Sequence, residues 1–184
     1  MKYYISKMVF EHEKNIRNKL YKNLYREKKE RFLKFNIYNS WWSRYISPTE
    51  QIRLTYRRFL QLANIFKYYP SELFCDSINL EEKEKFLKFS ENNESITRII
   101  KVTKLLLKKE FESKKLKKTT FLLNSKEIDS EISTKTLFRV FNKEHYTEFT
   151  LSTFLIISEG LEIDFKEFFN KILEVINSEY YNKD

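Results

Sequence analysis

Apolar residues recur three and four positions apart through the chain, as at Phe59, Leu62 and Phe66 and again at Phe154, Ile157 and Leu161. That spacing lines one face of an α-helix, and the strict alternation of half-buried strands is missing. An all-α protein is therefore expected. Residues 40–74 set over residues 135–169 without a gap share a core pattern. Arg44 falls on Arg139, Thr55 on Thr150, Phe59 on Phe154, Leu60 on Leu155, Glu72 on Glu167 and Phe74 on Phe169. Apolar character also matches at Trp42 with Leu137, Tyr45 with Val140, Leu62 with Ile157, Phe66 with Leu161, Tyr68 with Ile163 and Leu73 with Phe168. The pattern predicts two tandem five-helix repeats related by an offset of 95 residues. Each has a long first helix, a short second, a third near residues 40–46 or 134–142, and two more.

Local signals place the helix ends. Thr150 and Asp164 suit N-cap positions for the fourth and fifth helices of the second copy, since their side-chain oxygens accept from unpaired backbone N–H groups. In the first copy Tyr69-Pro70-Ser71-Glu72 opens the fifth helix, with Pro70 in a first turn where its missing N–H costs nothing. Asn79 caps a connecting helix, Leu80 to Phe89. The polar run from Ser90 to Glu94 reads as the domain boundary and Ser95 as the next cap. The expected division is a basic domain at residues 1–89 and a degenerate copy at residues 95–184, with the first half folding alone when the chain is cut at the boundary.

Composition narrows the chemistry. Of 184 residues, 41% are hydrophobic and 33% charged, which suits a folded chain. One Gly, one Ala and two Pro leave no glycines for phosphate loops or dinucleotide-binding turns. Nucleotide-dependent enzymes are disfavoured. Lys, Asn, Ile, Phe and Tyr have AT-rich codons, pointing to an AT-rich bacterium or one of its mobile elements. Cys75 has no second cysteine to bridge, residues 1–10 do not read as an export signal, and no apolar run approaches the roughly 20 residues that span a bilayer. A cytoplasmic protein with no membrane association is expected. His12 and His145 fall in different repeats without zinc-ligand spacing, and no motif activates Cys75. Neither catalytic residues, nor a metal, nor a cofactor is expected.

Charge divides unevenly. Residues 1–70 carry a net +11, residues 71–92 −3, residues 93–130 +5 and residues 131–184 −4, within a total of +9. A polyanion would be drawn to the first half, because phosphate neutralisation with counterion release is the main sequence-independent attraction to DNA. A solvated basic helical surface has the same composition.

The run Ile132-Ser133-Thr134-Lys135-Thr136-Leu137-Phe138-Arg139, followed by Thr150-Leu151-Ser152-Thr153-Phe154-Leu155 and by Leu161-Glu162-Ile163-Asp164-Phe165-Lys166-Glu167-Phe168-Phe169, resembles the lambda-repressor-like helix-turn-helix family, and Rgg-type regulators in particular. In the first copy Ser40-Trp41-Trp42-Ser43-Arg44 occupies the third helix, and the only Ala, Ala63, stands where the family favours one. The resemblance covers about 40 residues of each half. Where the family often has Gly between its fourth and fifth helices, this chain has Lys67 and Glu162, at a cost of about 1 kcal/mol each if the backbone stays left-handed.

The resemblance implies a transcriptional regulator that binds double-stranded DNA, its third helix in the major groove. The outward set is then Asn39, Ser40, Ser43 and Arg44 in the first copy and Thr134, Lys135, Phe138 and Arg139 in the second. Asn suits adenine, and Arg suits guanine or phosphate. Arg53, Arg57 and Arg58 fall where the family flanks the DNA backbone and would clamp phosphates, or else serve solubility. Trp41 would be exposed and stack on sugar or partner, whereas Trp42 belongs to the core. Lys114, Lys115, Lys117 and Lys118 form a second basic run. The second copy would read a second half-site or form a homodimer. The alternative is a protein-binding inhibitor from a mobile element, its partner held through the C-terminal repeat at Phe138 and the acidic block.

Overall fold

The computed structural model describes residues 14–20, 28–47, 52–74, 80–115, 121, 133–142 and 148–181. His12, Cys75, Asn79, Lys117, Lys118 and His145 lie outside them. Regular structure among the described residues is helical apart from one isolated bridge between Thr55 and Thr150. The protein is all-α. The helices among the described residues include α1 at residues 14–20, α2 (Lys29–Lys34), α3 (Asn39–Ile46), α4 (Tyr56–Phe66), α5 (Leu80–Phe89), α6 (Asn93–Ser113), α7 (Thr134–Phe141), α8 (Leu151–Gly160) and α9 (Phe165–Tyr181). A 3-10 turn, Pro70–Leu73, follows α4. No helix among the described residues is long and apolar enough to cross a membrane.

The helix ends follow side-chain chemistry. Thr55 caps α4 by accepting from the backbone N–H of Arg58 at 3.2 Å, and Thr150 caps α8 by accepting from that of Thr153 at 3.1 Å. Asp164 accepts from the N–H of Glu167 at 2.8 Å and opens α9. These contacts satisfy N–H groups that a first helical turn leaves without partners. The cap of α6 is Asn92, whose side chain accepts from the N–H of Ser95 at 2.9 Å. The helix thus begins before Ser95, and Ser95 lies inside its first turn. The element at Pro70 is also shorter than expected. Its N–H bonds run to carbonyls three residues back, from Glu72 to Tyr69 and from Phe74 to Ser71, which closes a 3-10 turn. The Glu72 carboxylate accepts from the N–H of Tyr69 at 2.9 Å and pairs with Lys83 of α5 at 3.2 Å.

α4 ends at Lys67, with φ 58° and ψ 42°, and α8 is followed by Glu162, with φ 50°. Both corners are left-handed in residues that carry a Cβ, the conformation glycine would adopt at least cost.

The core is one continuous cluster drawn from both halves of the chain. Tyr56 of α4 lies against Phe149 and Phe154, with ring centroids 4.9 and 4.7 Å apart, and Phe74 stacks on Phe165 at 4.5 Å. The Tyr69 hydroxyl donates to Asn170 at 2.8 Å. α6 packs on α4, α7 and α9, and α9 also packs on α5 and the Pro70 turn. Residues 90–94 hold the turn between α5 and α6, as a boundary would. The buried surface nevertheless runs across the expected division into 1–89 and 95–184, because α6 and α9 lie on elements of the first half.

Candidate nucleic-acid interface

α3 buries one side and offers the other to solvent. Trp42 and Tyr45, three residues apart, are 2% exposed each, and Trp42 packs on Phe32 of α2 at 5.1 Å and on Phe66 of α4 at 5.3 Å. Asn39, Ser40, Ser43 and Arg44 are exposed. Asn39 accepts from the Ser43 hydroxyl at 3.5 Å, one helical turn on. The outward set expected for the first copy therefore shares one open helical face. Trp41 is half-buried instead of exposed: its ring stacks on Tyr45 at 5.3 Å and 4° between planes, and the Arg58 guanidinium stands 5.5 Å from it.

The three arginines around the start of α4 differ in exposure. Arg53 is exposed on the extended segment that leads to Thr55. Arg57 donates to the Glu148 carboxylate, to the Thr97 hydroxyl at 3.1 Å and to the Asn93 carbonyl at 3.4 Å. Arg58 donates to the carbonyls of Phe35 at 3.0 Å and Asn36 at 3.3 Å and to the Gln61 side chain at 2.9 Å. It thereby holds the chain just past α2, and its burial pulls the guanidinium below its ordinary pKa. Arg57 and Arg58 are thus bound by acceptors of the protein itself. They tie α4 to α6, to the segment before α8 and to the end of α2, where a phosphate clamp was expected.

On α7, Leu137, Val140 and Phe141 are buried while Lys135, Phe138 and Arg139 are exposed, Phe138 by 50%. Beneath this helix lies a residue the sequence reading passed over. Lys104 of α6 is only 4% exposed, donates from Nζ to the Arg139 carbonyl at 3.3 Å and stands 5.9 Å from the Phe149 ring. Burial lowers its pKa, and its charge faces the last turn of α7, where helix carbonyls concentrate partial negative charge. A signal for it existed, since Lys104 shares a helical stripe with buried Ile100 and Leu107. Of the second basic run, Lys114 pairs with Glu162 at 3.2 Å and Lys115 is exposed with φ 50°.

A groove of about 640 Å³, also not anticipated, opens between the end of α5, the start of α6 and α9. Lys85, Lys88, Glu91 and Arg98 line it together with Phe89, Ile99 and Ile176. Lys85 is paired with Glu81. No cluster of His, Cys, Asp and Glu suited to a metal ion occurs among the described residues. In comparisons with known proteins, no family model, curated protein or solved structure matches this chain.

Proposed function

We propose that the protein is a DNA-binding transcriptional regulator built from two copies of a helix-turn-helix-like unit, with α3 as the reading helix. The observation that carries the proposal is the open face of α3, where Asn39, Ser40, Ser43 and Arg44 stand in solvent on a helix locked from behind by Trp42 and Tyr45. A reading helix needs this division, because base edges are reached only by side chains the core does not claim. The net +11 of residues 1–70 supports it. The two-copy reading is supported by positions 95 residues apart: α3 and α7 have matching bounds, Thr55 and Thr150 are matching caps, and Lys67 and Glu162 are matching left-handed corners.

In this proposal Arg44 grips guanine with two parallel hydrogen bonds, Asn39 reads adenine and Arg53 contacts a phosphate. Arg57 and Arg58 serve the fold. The test is duplex binding as salt is raised, with wild type weakening steeply. Arg44→Ala should cost about 1–3 kcal/mol and relax selection at one base position, and Arg139→Ala should cost less. A wild-type protein that binds every duplex more weakly than about 10 μM at low salt would fall below ordinary non-specific binders and reject the proposal.

One observation favours the protein-binding reading. Phe138 is half exposed on α7 at the position that holds Ser43 on α3, and residues 131–184 are net acidic. An inhibitor that grips a protein partner through α7 would lose that partner on Phe138→Ser while its duplex binding stayed absent.

A further inference from the structure

The bridge at Thr55 and Thr150 has a symmetry that bears on how many copies of the chain one DNA site takes. The N–H of Tyr56 donates to the Phe149 carbonyl at 2.9 Å, and the N–H of Leu151 donates to the Leu54 carbonyl at 2.8 Å. Tyr56 and Leu151 are 95 residues apart, as are Leu54 and Phe149. Exchanging the halves therefore turns each hydrogen bond into the other, which is the property of a local two-fold axis between Thr55 and Thr150. α4 and α8, which begin on either side of the bridge, pack against each other, as a self-complementary pairing requires. The exchange also carries the pair Phe59–Phe74, 5.2 Å apart, onto Phe154–Phe169, 6.0 Å apart.

From this we infer that one chain is a complete two-headed reader, with α3 and α7 in the places that two subunits of a dimeric helix-turn-helix protein occupy. The inference rests on the DNA reading proposed above. In a dimer bound to DNA the protein axis coincides with the pseudo-dyad of the site, and each subunit reads one half. A two-fold rotation leaves direction along its own axis unchanged, so a face of α3 turned along the axis has a face of α7 turned the same way. Self-pairing surface that a separate subunit would use is here spent within the chain, and one copy suffices.

The two half-sites would differ, because the two heads do. Arg44 and Arg139 hold the same register and call for guanine at matching positions. Ser43 and Phe138 also share a register, but Phe138 offers only apolar contact, which suits a thymine methyl. The preferred ligand is thus a lopsided pseudo-palindrome, with arms alike at the guanine and unlike beside it.

The test selects duplexes from a random pool with the full chain and then weighs the complex in solution. Expected are one chain per duplex and two selected arms with centres about 10 base pairs apart. Arg44→Ala should relax the guanine of one arm, with a loss of about tenfold or more in affinity. Arg139→Ala should relax the other arm with a smaller loss, and Phe138→Ser should make the second arm resemble the first. Both arginines are exposed, and circular dichroism checks that the variants remain helical. Two chains per duplex, with α3 selecting both arms and Arg139→Ala silent, would overturn the inference and leave the DNA reading standing. A chain that retains no duplex would overturn both.

Discussion

The carbonyls of Ala63 and Ser158 each accept a hydrogen bond from the backbone N–H five residues on, from Tyr68 and Ile163, at 2.8 Å in both cases. This long bond spans the end of a helix and needs the left-handed residue just inside it, Lys67 in one place and Glu162 in the other. The side chains of Ala63 and Ser158 are both fully buried. Only one of them suits that place, since the Ser158 hydroxyl has no hydrogen-bond partner among the described residues.

Ser158→Ala should accordingly raise stability. A buried hydroxyl without a partner loses its hydration for nothing in return, and its removal, together with the better helix propensity of Ala, should add about 1 kcal/mol. Ala63→Ser should subtract a similar amount. Urea unfolding measures both, and a stability loss on Ser158→Ala would mean the hydroxyl is satisfied.

The corners themselves allow a second change. Lys67→Gly and Glu162→Gly should each stabilise by about 0.5–1 kcal/mol, because glycine relieves the Cβ clash at positive φ by more than its extra freedom in the unfolded chain costs. The two gains should add, as the corners belong to separate turns. Thermal unfolding of the single and double variants checks this.

The arginines around α4 should separate by assay. Arg58→Gln removes hydrogen bonds to two backbone carbonyls and Arg57→Gln removes the tie to Glu148 and Thr97, at about 1–2 kcal/mol of stability each. The Arg57–Glu148 pair contributes a minor share, since both partners are partly solvated. Arg53→Gln should flatten the plot of log affinity against log salt by about one unit. An unchanged slope would deny Arg53 its phosphate contact.

Cutting the chain after residue 92 should leave the first half without cooperative unfolding. Tyr56 would lose Phe149, Phe154 and the Thr103 hydroxyl, Phe74 would lose Phe165, and α4 would lose the cover of α6. Exposing that much aromatic surface favours a molten state with retained helix and dye-binding apolar patches. A sharp thermal transition in the fragment would show that the first half closes a core of its own.

Features set by neighbours within a few residues were legible in the amino-acid sequence: the helical class, the place of α3 to within a residue, and the Thr150 and Asp164 caps. Each depends on periodicity or on a side chain reaching its own backbone, and one dimension holds that information. Asn92 displaced Ser95 as a cap because two capable side chains stood close together, and only the backbone path chooses between them. The fate of Arg57 and Arg58 was decided by tertiary structure. Their acceptors, Glu148 and the carbonyls of Phe35 and Asn36, are 91, 23 and 22 residues away, and a basic cluster reads the same whether its partner is solvent, a phosphate or a distant carbonyl. The same holds for the single core and for the acceptor that Lys104 finds in the Arg139 carbonyl, 35 residues away. Which surfaces meet depends on how whole helices pack, and the pairing of Thr55 with Thr150 exists only once they have done so.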